Sequence, residues 1–141
     1  MIAMEVKYKK TGIDWIPEVP EHWEIVRLKN VTKIVSGATP KSSIAANWDG
    51  DINWITPAEF GDEMYIGESV RRITKKGLES CATSLVPIGS IIISNRAPIG
   101  SLGISEVELC TNQGCKSIIP IQINNYFLYF VMSFTVIRLI I

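Results

Sequence analysis

One histidine and three cysteines in 141 residues leave little material for metal or nucleophile chemistry. Cys81, Cys110 and Cys115 form no CxxC pair, and His22 is their sole imidazole companion. A zinc site needs about four such ligands at short spacings. The expectation is therefore reduced thiols in a cytoplasmic chain, with no metal and no cofactor. A single histidine builds no convincing serine or cysteine triad. There is no GxxxxGK[ST] loop and no GxGxxG fingerprint; Gly100-Ser101-Leu102-Gly103 lacks the spacing and the helix that should follow. The Asn/Asp-Pro-Pro-aromatic tetrad of an amino-methyltransferase is missing. So is the carboxylate cluster with lysine that holds a nuclease metal, since the one Glu-x-Lys, Glu5 to Lys7, has no Pro-Asp ahead of it. Asp49 and Asp51 could share a site, but solvation in a loop is the commoner explanation for such carboxylates. The domain reads as non-catalytic.

Charge of one sign is not in excess either: 14 basic and 14 acidic residues give a formal net charge of 0. A basic arm as sole nucleic-acid device is excluded, because such arms work by neutralising phosphates with surplus charge. The charge is nevertheless polarised. Residues 1–70 hold 7 basic and 11 acidic side chains, and residues 71–141 hold 7 and 3. No apolar stretch within Met1–Lys10 marks a signal peptide. The longest apolar run, Tyr126 to Ile137, is 12 residues and is interrupted by Arg138. That falls short of the ~20 residues a spanning helix requires, so a buried helix is expected rather than an anchor. The sequence stops within this run without the glycine or basic turn that usually closes a helix, which suggests a truncated piece of a larger architecture.

What is present suits one folded domain. The chain is 47% hydrophobic with four tryptophans, and a chain of ~150 residues buries roughly 70% of its unfolded surface. Residues 1–20 read as an extended arm, because Gly12, Pro17 and Pro20 forbid a regular helix; Trp15 and Trp23 pack it onto the rest. Trp23–Leu28 alternates as a strand would, and 30–35 is ambiguous between helix and strand. Ser36-Gly37-Ala38-Thr39-Pro40 is a turn in which Gly37 permits positive φ. Strands are expected at 51–56, 65–66, 70–73, 90–94, 99–105 and 115–119, with Thr74 capping a short helix at 75–80. The fold class is α+β: a curved, mainly antiparallel sheet with a few short helices. The expected divisions are an arm at 1–20, a main domain at 21–132 and an apolar helix at 133–141.

Several phrases occur together in order. Thr11-Gly12-Ile13-Asp14-Trp15-Ile16-Pro17 precedes Val19-Pro20-Glu21-His22-Trp23-Glu24, then Arg27-Leu28, the Ser36–Pro40 turn and Asp51-Ile52-Asn53-Trp54-Ile55. Pro87-Ile88-Gly89-Ser90, Ser94-Asn95-Arg96-Ala97-Pro98-Ile99-Gly100 and Thr111-Asn112-Gln113-Gly114 follow. This series resembles the N-terminal target-recognition domain of the DNA specificity subunit of type I restriction–modification systems, over residues ~8–132. The resemblance implies double-stranded DNA as partner and one half of a split target as ligand. It also implies methylation and restriction subunits as partners that carry the chemistry. The sequence ends before a spacer helix and a second recognition domain, which the family places after the first.

A base reader needs loops bearing Arg, Asn, Gln, Lys, Ser or Thr at groove edges. Three loops qualify as DNA-binding candidates. Asn95 and Arg96 follow a buried strand. Thr111, Asn112 and Gln113 place two amides beside Gly114, with Lys116 near for a phosphate. Ser36, Gly37, Thr39 and Lys41 supply hydroxyls, a close-approach glycine and a charge. Plainer roles stand beside these: a structural ion pair for Arg96, turn satisfaction for Asn112 and Gln113, a simple turn at 36–40, a core position for Trp54, and a solvated face for Arg71, Arg72, Lys75 and Lys76. The polar loop 41–50 is also a candidate, because the family's base-reading loops are the variable ones. A different class of function stays open, an assembly domain that docks a partner through its C-terminal apolar helix.

Overall fold

The computed structural model describes the backbone of residues 4–140 and the side chains of residues 4–135. The expected arm is a hairpin: β1 (Tyr8–Ile13) pairs antiparallel with β2 (Ile16–Pro20). Gly12 has φ +75° and takes up the irregularity between Lys10 and Ile13. The Thr11 hydroxyl closes the hairpin by donating to the Ile16 carbonyl.

The segment Trp23–Arg27 is not a strand, which corrects the alternation reading. Among the described residues it joins no sheet, and Trp23, Ile25 and Val26 are all exposed. Trp23 instead sets its edge against Phe127 with ring centroids 5.5 Å apart. The ambiguous stretch that follows is both elements in turn: a one-turn helix α1 (Leu28–Val31), then β3 (Thr32–Ser36).

The body has two sheets. One contains β3, β10 (Cys115–Pro120), β7 (Ile91–Ser94), β8 (Leu102–Ser105) and β5 (Tyr65–Ile66), in that spatial order. The other contains β6 (Arg72–Ile73), β4 (Trp48–Ile55) and β9 (Leu109–Thr111). Most pairings are antiparallel, but β4 runs parallel to β9 and β5 parallel to β8. The α+β class with mainly antiparallel sheets stands.

Period-two alternation sorts side chains between layers. Ile55, Leu109, Ile92 and Cys115 meet in a core between the two sheets. Their neighbours Trp54 and Cys110 face the other way, with Trp48, Ile73 and Leu78. Ile91, Ile104 and Ile118 point outward beneath α3 (Asn125–Ile140), whose Leu128 is fully buried on them. Asn124 caps this helix by accepting from the Phe127 amide at 3.1 Å. The apolar helix thus begins at residue 125, earlier than the 133–141 segment named from the sequence, whose side chains beyond 135 lie outside the described residues. Thr74 caps α2 (Lys75–Glu79) as expected, accepting from the Gly77 amide at 3.0 Å.

Candidate functional site

Strand register brings the three candidate loops to one end of the sheets. Ser36, at the end of β3, is level with Lys116 near the start of β10, and Cys115 is level with Ser94 at the end of β7. In the second sheet Ile55 and Thr111 end β4 and β9 side by side. Five strand ends therefore converge from distant stretches of sequence.

Backbone bonds lock the loops together. The Ala38 amide donates to the Thr111 carbonyl at 3.0 Å, the Asn112 amide to Ile55 at 2.9 Å, and the Asn95 amide to Gly114 at 2.9 Å. With its side-chain nitrogen turned toward the surrounding acceptors, Asn95 also donates to the carbonyls of Gln113 at 3.2 Å and Gly114 at 2.7 Å. Lys116 Nζ donates to Ser36 Oγ at 2.7 Å, and Thr39 Oγ1 donates to Gln113 Oε1 at 2.5 Å.

Gly37 holds the tightest point. Its φ is not positive, contrary to the turn reading. It is glycine because a Cβ would lie inside 3.0 Å of the Asn112 and Thr111 carbonyl oxygens and of Thr111 Oγ1. Trp54 supports the same loop from below. It is a core residue, 4% exposed, and its Nε1 donates to the Ala38 carbonyl at 3.0 Å.

The candidates divide by position. Ser36, Thr39, Lys41, Asn95, Arg96 and Gln113 are exposed and Lys116 is half-buried. Thr111 is buried, its carbonyl also accepting from Thr83 Oγ1 at 2.8 Å, and Asn112 Oδ1 accepts from the Gly114 amide at 2.8 Å. These two residues, with Gly37, make up the support of the surface. Arg96 rides a tight loop closed by the bond from Gly100 N to Ser94 O, 2.9 Å, and by Ser101 N to Ser94 Oγ, 3.0 Å. Among the described residues Arg96 makes no salt bridge, so the structural ion pair is not found. Arg71 is more than the solvated cation its sequence suggests: its guanidinium stacks on Trp48, 3.8 Å from the ring centroid. No sequence spacing signals that contact.

Nucleophile chemistry is disfavoured at the thiols. Burial pushes Cys110 up to about 12, and burial with the nearby Glu59 charge does the same to Cys115. Neither is a thiolate near neutral pH. Among the described residues no group of three or more His, Cys, Asp or Glu could hold a metal ion. Among the described residues no helix is long and apolar enough to cross a membrane.

The family model for the type I restriction modification DNA specificity domain matches residues 20–140. The chain belongs to that family. Relatives of the specificity domain include the MjaIX specificity subunit of Methanocaldococcus jannaschii, 36% identical over 118 residues, covering 82% of this chain and 27% of the relative. The HindI specificity subunit of Haemophilus influenzae is 27% identical over 102 residues, covering 72% and 22%. A solved HsdS subunit from Thermoanaerobacter tengcongensis superposes with TM-score 0.63 at 26% identity, covering 89% of this chain and 30% of that one. A chain solved in a study of type I R-M complex assembly superposes with TM-score 0.70 over 94% of this chain at 24% identity, which bears on fold alone. The chain spans less than a third of each of these proteins. What the match establishes for this chain is a specificity domain of that family.

Proposed function

We propose that this domain binds double-stranded DNA and reads one half of a two-part target. The observation that carries the reading is the convergence of exposed Asn95, Arg96, Gln113, Ser36, Thr39 and Lys41 on one rigid edge. Arg pairs bidentately with guanine, and Asn or Gln with adenine, when held firmly at a groove edge. The loop bonds supply that firmness, so little ordering entropy is lost on binding. Docking of methylation and restriction subunits, and the second half-site, are assigned to the whole protein. The formal charge of 0 implies weak binding by this domain alone. Selection of bound duplexes from a random library tests the reading. Enrichment of one short sequence, lost steeply with salt, is the expected result; an assembly domain would instead enrich nothing and form stable oligomers in size-exclusion chromatography.

A further inference from the structure

A pair of packed tryptophans carries a cation that the base-reading loops do not account for. Trp48 and Trp54 meet edge to face, centroids 5.1 Å apart at 84°. Arg71 lies over both, 3.8 Å from Trp48 and 5.8 Å from Trp54. On the same indole, Trp48 Nε1 donates to the Lys41 carbonyl at 3.2 Å. That carbonyl also accepts from the Ile44 amide at 3.2 Å and from Asn47 Nδ2 at 3.3 Å. Through Trp54 and its bond to Ala38, this cluster continues directly into the candidate edge.

The neighbouring cations are partly engaged. Arg72 pairs with Glu68 at 2.9 Å and Lys75 with Glu79 at 3.8 Å. Among the described residues, Arg71 and Lys41 have no carboxylate within 4.0 Å, and both are exposed. Stacking occupies the face of a guanidinium, and its N–H donors lie in the plane, so they remain free to grip an oxyanion bidentately. Ser69 Oγ donates to the Arg71 carbonyl at 2.5 Å and fixes the backbone beneath it.

We infer that Arg71, stacked on the Trp48–Trp54 pair, and Lys41, whose backbone carbonyl is bonded by the Trp48 indole, form a clamp for the DNA phosphate backbone. The clamp sets the register in which Arg96 and Gln113 meet bases. This inference rests on the DNA reading and adds to it a sequence-independent anchor on the flank of the edge.

The test uses a fluorescent duplex pool of random sequence, titrated with the full chain at several salt concentrations. Arg71→Gln and Lys41→Gln each weaken binding several-fold and flatten the slope of log K against log salt by about 0.9, one phosphate apiece. Arg71→Lys, which keeps the charge, restores the slope. Unchanged binding and slope in both Gln variants overturn the clamp and leave the DNA reading standing. A wild-type chain that binds no duplex at low salt overturns the DNA reading itself, and the clamp with it. Loss confined to particular sequences also overturns the clamp, because it makes these residues base readers. Should Arg71→Gln unfold, Lys41→Gln decides alone, since the fold uses only the carbonyl of Lys41.

Discussion

Gly37→Ala is the substitution that tests the convergence of loops most sharply. The new methyl would meet two backbone carbonyl oxygens and a buried hydroxyl inside 3.0 Å, and none of them is the free end of a flexible chain. The loops 36–41 and 111–114 must part, which strains the bond from Ala38 N to Thr111 O, 3.0 Å. Overpacking of this kind costs about 1–3 kcal/mol, and a weakened hydrogen bond about 1 kcal/mol more. The stiffer unfolded chain returns about 0.4–1 kcal/mol, because the φ at Gly37 is not one that only glycine tolerates. The net loss is about 1–3.6 kcal/mol, read by urea or thermal unfolding. Gly61→Ala is the control: nothing lies within 4 Å of its Cβ position, and the change should stay within about 0.5 kcal/mol. At a temperature where both variants remain folded, Gly37→Ala should also bind DNA more weakly, while Gly61→Ala should not. A Gly37→Ala protein as stable as Gly61→Ala would refute the close-packed account of the edge.

Trp54→Phe keeps most of the ring but removes the donor to the Ala38 carbonyl, and should cost about 1–3 kcal/mol in chemical denaturation. Near-wild-type stability would show that the indole bond is dispensable. Cys110 and Cys115 should resist thiol reagents at pH 8 until the chain unfolds, while the half-buried Cys81 reacts first. Both buried thiols keep their protons up to about pH 12 when folded, against an ordinary 9.0. The unfolded chain then holds fewer protons in that window, so stability should fall as pH rises from about 9 to about 12 and owe nothing to these groups below it. Flat stability across that range in urea titrations would contradict their burial.

The legible and illegible parts of this fold differ in physical kind. The β-branched run at 91–94 and the threonine cap at Thr74 are local signals, and both elements form where the local chemistry places them. At 23–27 alternation misleads, because a strand also needs a partner and this stretch joins no sheet. The turn reading of Gly37 fails for a related reason: a close approach to residues 111 and 112 is a long-range fact, invisible in a turn motif. Candidate loops could be named from residue type and from the family phrases. Their meeting at one edge follows from pairing of β3 with β10 and of β4 with β9, across 56 to 88 residues of sequence. Arg71 illustrates the limit most clearly, since a cation beside a cation in sequence gave no hint of two indoles beneath it.

Paired selections from a random duplex library, with the wild-type chain and with Arg96→Gln, test the central claim most directly. Arg96 is exposed on a closed loop and has no ion pair among the described residues, so the substitution should leave stability within about 0.5 kcal/mol. The wild-type chain should enrich one short sequence. Arg96→Gln should relax or change the preference at one position of it, a discrimination of about 1–3 kcal/mol. Enrichment of no sequence by the wild-type chain, or an identical sequence from the two proteins, would contradict the account of this edge as a base reader.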